Sequence, residues 1–142
     1  MRRELPGGFE LDDDPSRIDV EAVVGFLSTE AYWGRERTAA QMARMIDEAQ
    51  RVVGLYHEGR QVGFSRTLSD GRLAWLADVY VLSEFRGRGL GVELVRESVE
   101  RGPFRDCRWL LGTKDAHGLY AKFGFRPPSD RILERPPPEE GG

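Results

Sequence analysis

The stretch Asp78-Val-Tyr-Val-Leu-Ser-Glu-Phe-Arg-Gly-Arg-Gly-Leu-Gly91 decides the fold of this 142-residue chain. It is the end of an apolar strand beginning at Leu73, a turn, and the start of a helix. Gly87, Gly89 and Gly91 stand at alternate positions and leave backbone amides uncovered by side chains, so an anion can approach closely. The helix that follows adds its positive dipole end and unpaired N–H groups, and Arg86 and Arg88 bring positive charge to the same place. A diphosphate is the ligand that fits such a loop; a glycine-rich turn without ligand is the competing reading. No Gly-Lys-Ser/Thr follows, so this is not the phosphate loop of nucleoside triphosphatases. The third glycine also comes one residue too early for Gly-x-Gly-x-x-Gly.

Working outward, Arg51–Tyr56 and Gln61–Leu68 read as strands around the turn His57-Glu58-Gly59-Arg60, and Leu73–Leu82 follows a second turn at Ser69-Asp70-Gly71. Three successive antiparallel strands are predicted. From Gly89 to Arg101, Leu90, Leu94, Val95 and Val99 share one helix face, and Gly102-Pro103 is the stop. A strand over Cys107–Thr113, a short helix over Asp115–Phe123 and a last strand near Asp130–Glu134 complete the downstream half. Upstream, Gly8–Leu11 reads as an edge strand. Asp19 caps a helix whose buried face holds Val20, Val23, Val24 and Leu27. Thr38 and Gln41 form a capping box for a second helix with Met42, Met45, Ile46 and Ala49 inward. The expected class is α/β with an α+β strand order, in one domain of residues 1–134 followed by a disordered tail of residues 135–142.

Composition closes off several functions. A net charge of −3 disfavours nucleic acid as a partner. The single cysteine, Cys107, excludes an internal disulfide framework. Cys107, His57 and His117 are too dispersed for a zinc site, so no metal is expected. Cys107 is read as a small hydrophobe, His57 as an exposed turn residue and His117 as a solvated one. No apolar stretch is long enough to span a bilayer, and the N-terminus has no signal core; a cytoplasmic protein is expected. Of 21 basic residues only Lys114 and Lys122 are lysine. Codon usage is the plainer reading of that excess and anion recognition by guanidinium the physical alternative, which composition does not separate. No serine sits in a Gly-x-Ser-x-Gly elbow.

Arg86-Gly-Arg-Gly-Leu-Gly91 resembles the Arg/Gln-x-x-Gly-x-Gly/Ala signature of the GNAT superfamily of N-acetyltransferases. Asp115-Ala-His-Gly-Leu-Tyr-Ala-Lys-Phe-Gly-Phe125 is similar to that family's second hallmark, an aromatic helix ending in Gly-Phe. The resemblance implies a mixed, mostly antiparallel sheet with helices on both faces, its central parallel strands Leu73–Leu82 and Cys107–Thr113 splayed apart around acetyl-coenzyme A. It implies that the backbone of Val79, Tyr80 and Val81 binds the pantetheine arm. Arg86, Gly87, Arg88, Gly89, Leu90 and Gly91 would hold the diphosphate.

The same resemblance makes Tyr120 the proton donor to the leaving thiolate; packing with Ala116, Leu119 and Phe123 is its other reading. The acceptor amine must shed a proton, and neutralising an alkylamine at pH 7 costs roughly 4 kcal/mol. Asp78, a carboxylate in an apolar strand, is the candidate to take that proton or bind the acceptor, unless it merely pairs with an arginine such as Arg66. Ala77 stands where some relatives carry a glutamate, which makes a water-relayed route an alternative. By resemblance Tyr32, Trp33 and Arg35 border the acceptor cleft; plugging the core is the equal alternative for the two aromatics. The expected activity is acetyl transfer to a primary amine of a small molecule, with no nucleic-acid or membrane partner and a homodimer left open. A protein lysine or N-terminus as acceptor, or a noncatalytic acyl-coenzyme A sensor, are the competing functions.

Overall fold

Arg51–Tyr56 is buried at every residue, and its neighbours on the two sides show why no polar alternation appears there. Val53 and Leu55 pack with Val62, Leu90 and Leu94 in one apolar cluster. Val52 packs with Phe64, Tyr80, Phe26, Leu27 and Met42 in a second. A strand covered on both faces gains by being apolar throughout.

The computed structural model describes residues 1–30 and 37–138. The chain forms two compact units, Met1–Gly112 and Thr113–Gly142. The first holds β1 (Arg2–Leu5), β2 (Phe9–Asp12), α1 (Val20–Thr29), α2 (Ala39–Glu48), β3 (Arg51–His57), β4 (Arg60–Ser69), β5 (Leu73–Val81), α3 (Leu90–Glu100) and β6 (Arg108–Leu111). The sheet runs in chain order from β1 to β6. Its pairs are antiparallel through β5, and β5 and β6 are parallel. The parallel pair therefore closes one end of the described sheet. α3 covers the face of Val53 and Leu55; α1 and α2 cover the other. This is the mixed, mostly antiparallel sheet with helices on both faces that the resemblance implies, with the parallel pair at an end of the described sheet and not at its centre.

Local signals act as expected in three places. Asp19 accepts the Ala22 amide at 3.1 Å at the start of α1. Thr38 and Gln41 make both bonds of the capping box on α2. Glu58 and Gly59 take φ of 52° and 79°, the left-handed pair that matches the twist of a two-residue hairpin.

Four expectations change. β1 pairs with β2 from Arg2↔Asp12 to Leu5↔Phe9, a strand that no apolar alternation announces. Ion pairs help hold it: Arg2 to Glu10 at 2.8 Å and Arg3 to Glu97 at 3.1 Å. His57 is not an exposed turn residue, because its ring packs 4.4 Å from Phe9 and 5.3 Å from Phe85. In the second unit α4 is only His117–Ala121. No strand forms near 130–134; Asp130 and Arg131 lie in a turn, with the Ile132 amide bonded to the Ser129 carbonyl at 3.1 Å.

Candidate functional site

β5 is two strands in one. From Leu73 to Leu76 it pairs with β6, ending at Leu76↔Leu111. From Ala77 to Val81 it pairs only with β4 among the described residues. That half keeps a row of edge N–H and C=O groups on the β6 side, and such groups are costly to leave unpaired away from water.

The strand also bulges at this point. Phe64 opposes Tyr80 and Arg66 opposes Ala77, so Asp78 and Val79 together face Ser65. Asp78 absorbs the extra residue with φ of 56°, a left-handed conformation that Asp tolerates better than most residues. Its side chain is 1% exposed, and Oδ2 receives Arg66 Nε at 2.9 Å and Arg37 Nη1 at 2.7 Å. Oδ1 is buried and has no hydrogen-bond partner among the described residues. The pair with Arg66 is the structural alternative allowed by the sequence. Arg37 is the residue that sequence reading missed, since nothing at the entrance to α2 marks it.

The loop after β5 is anchored at both ends. The Leu82 amide bonds the Val62 carbonyl at 2.8 Å, and Phe85 is buried edge-on against Phe9 with ring centres 5.6 Å apart. Between anchors, Arg86, Gly87, Arg88 and Gly89 are exposed. Gly87 and Gly89 take φ of 82° and 76°, and a Cβ built on either meets no atom within 4 Å. α3 then begins at Leu90 without a side-chain cap on its first amides; Gly91 leaves open space on the first turn as well. An open, uncapped helix entrance with exposed arginines fits a diphosphate. Arg86 spends Nε on the Val81 carbonyl at 3.1 Å, and the Arg88 guanidinium lies 5.6 Å from the Phe85 ring centre.

Tyr120 belongs to the second unit, on α4, and is 8% exposed. Gly124, with φ of 85°, turns the chain after the helix. The Phe125 amide returns to the Tyr120 carbonyl at 3.2 Å, and the two rings meet edge to face at 5.8 Å. The Gly-Phe ending therefore has a local structural role in packing the tyrosine. His117 is exposed and opens α4. Cys107 is half-buried, its Sγ 3.7 Å from Ser69 Oγ. No group of side chains able to hold a metal occurs among the described residues, and no helix there is long and apolar enough to cross a membrane. Tyr32, Trp33 and Arg35 lie outside the described residues.

Residues 17–125 match the acetyltransferase (GNAT) family. A Xanthomonas campestris protein assigned to that family is 35% identical, with a TM-score of 0.86 over 95% of this chain and 96% of that one. The chain belongs to the GNAT acetyltransferases. A Deinococcus radiodurans acetyltransferase structure shares the fold at 23% identity and a TM-score of 0.71, covering 95% and 94% of the two chains. Glucosamine-6-phosphate N-acetyltransferase from Arabidopsis thaliana shares it at 16% identity and 0.65, covering 89% and 97%. No curated protein matches the chain.

Proposed function

We propose that this protein acetylates a primary amine of a small molecule, using acetyl-coenzyme A, in the cytoplasm. The observation that carries the reading is the half of β5 whose β6-side edge has no strand beside it among the described residues, running directly into the open glycine loop. An extended polar arm can complete the edge of Val79, Tyr80 and Val81, while the amides from Gly87 to Gly91 receive a diphosphate at the helix start. The cosubstrate supplies an acetyl group activated as a thioester. Tyr120 serves as proton donor to the departing sulfur; a phenol is protonated at neutral pH and suited to that task. Asp78 Oδ1, buried without a partner among the described residues, is the atom assigned to the acceptor's ammonium proton. Tyr32, Trp33 and Arg35 are assigned to the acceptor side.

The test follows release of free coenzyme A thiol across a panel of amines. Turnover of at least one small amine supports the reading. Binding of acetyl-coenzyme A without turnover of any amine or peptide would make the protein a sensor instead. Binding is checked separately by thermal unfolding. At ten times Kd, acetyl-coenzyme A is expected to stabilise the native state by about 1.4 kcal/mol and raise Tm accordingly. An unmoved Tm at saturation contradicts the whole assignment.

Gly89→Val tests the loop itself. Valine is a steric outlier at the φ of 76° found there, and its branches would occupy the space left open above the helix start. Coenzyme A affinity measured by calorimetry is expected to fall at least tenfold, about 1.4 kcal/mol. A folded variant with native affinity would show that the loop holds no diphosphate.

A further inference from the structure

Apart from Met1, the exposed large apolar side chains among the described residues are Leu68, Leu73, Trp75 and Leu133. The first three lie together. Leu68 stands opposite Trp75 in the β4–β5 ladder, and Leu73 is two residues before Trp75 on the same face. Across the parallel pair Trp75 adjoins Leu110 and Leu73 adjoins Arg108, which extends this face onto β6. Leu68, Leu73 and Trp75 are 38%, 48% and 42% exposed. Such residues scattered singly need no explanation, but side by side they mark a contact surface.

The face ends at an open edge. β6 stands last in the described sheet and pairs there with β5 alone. The N–H and C=O groups on its outer side are a template for another extended segment.

The chain itself carries a segment of matching pattern. Asp130-Arg-Ile-Leu-Glu134 has the sequence of a strand, yet no strand forms there among the described residues. At a period of two, Asp130, Ile132 and Glu134 fall on one side, and Arg131 and Leu133 on the other. The order acid, apolar, acid complements an apolar face bordered by Arg108. Arg108, Asp130 and Glu134 form no ion pair among the described residues. On its other side the segment offers Leu133, 92% exposed, to the alternate β6 residues Trp109 and Leu111, which are half-buried.

We propose that the protein is a two-fold dimer in which residues 130–134 of each copy add a strand to β6 of the other. Ile132 then lies on the Trp75 face and its flanking acids beside Arg108. Within one copy the face and Leu133 both stay exposed, so a second copy is what supplies each with its partner. Every copy holds both halves of the contact, so the exchange closes on two copies and leaves neither edge open. The dimer stands independently of the catalytic reading.

The test is sedimentation velocity of the full chain, with folding followed by circular dichroism. The wild type is expected to sediment as a dimer at micromolar concentration. Trp75→Glu alters the face and Ile132→Asp alters the segment; each is expected to stay folded and to weaken the dimer at least tenfold. An equimolar mixture of these two variants is expected to associate more tightly than either alone. The intact segment of one then meets the intact face of the other. Arg108→Glu is expected to weaken the dimer, most of all at low salt, where screening is least. A monomeric wild type overturns the assignment. So does a dimer that Trp75→Glu and Ile132→Asp leave intact, or native affinity in Arg108→Glu at low salt. A mixture no tighter than its components also overturns it, because two Trp75 faces would then pack directly on each other.

Discussion

Asp78→Ala is expected to lower the unfolding free energy by about 3 to 5 kcal/mol, the range for removing one partner from a buried ion pair. Arg66 is 5% exposed and pairs with Asp78 at 2.9 Å, so alanine would leave a buried guanidinium without its counterion. Arg37, with a side chain 23% exposed, can turn partly to water and contributes less. The backbone adds to the cost, because φ at residue 78 is 56° and alanine resists the left-handed region by about 1–2 kcal/mol. Asparagine tolerates that conformation, so Asp78→Asn isolates the loss of charge from the strain. Urea denaturation with an unchanged m-value reads both variants. A loss below about 1 kcal/mol for alanine would mean that the two arginines do not depend on this carboxylate. If Asp78→Asn remains folded but acetylates normally, Asp78 holds the bulge and has no part in proton transfer.

Tyr120→Phe should reduce kcat by about 100-fold, within the usual range for loss of a positioned acid. The ring is retained, and with it the edge-to-face contact with Phe125 at 5.8 Å, so stability should change little. Affinity for acetyl-coenzyme A should also change little, because the missing bond is strongest in the transition state. The expected signature is therefore a fall in kcat with KM for the cosubstrate nearly constant. Equal turnover by wild type and variant would leave Tyr120 as a packing residue, its alternative role.

Much of the site is legible in the sequence because its signals are short-range. The capping residues Asp19 and Thr38 act on amides three positions ahead. Glu58-Gly59 forms its turn from its own backbone preferences, and the loop from Arg86 to Gly91 needs only its glycines and the helix that follows. These choices are made within a few residues, where local energetics decide.

Tertiary structure decided the rest, because the partners are distant in sequence. β1 has no pattern of its own and gains its place by pairing with β2 and by the bridge from Arg3 to Glu97, 94 positions away. Asp78 could be read as a lone carboxylate in an apolar strand, yet only the register slip between β4 and β5 puts it in a left-handed bulge against Arg66 and Arg37. The segment near Asp130–Glu134 reads as a strand, but Asp130 and Arg131 lie in a turn, Leu133 is 92% exposed, and no strand forms there among the described residues. Propensity, caps and turns are properties of a segment; a paired edge and a counterion belong to what the folded chain places beside it.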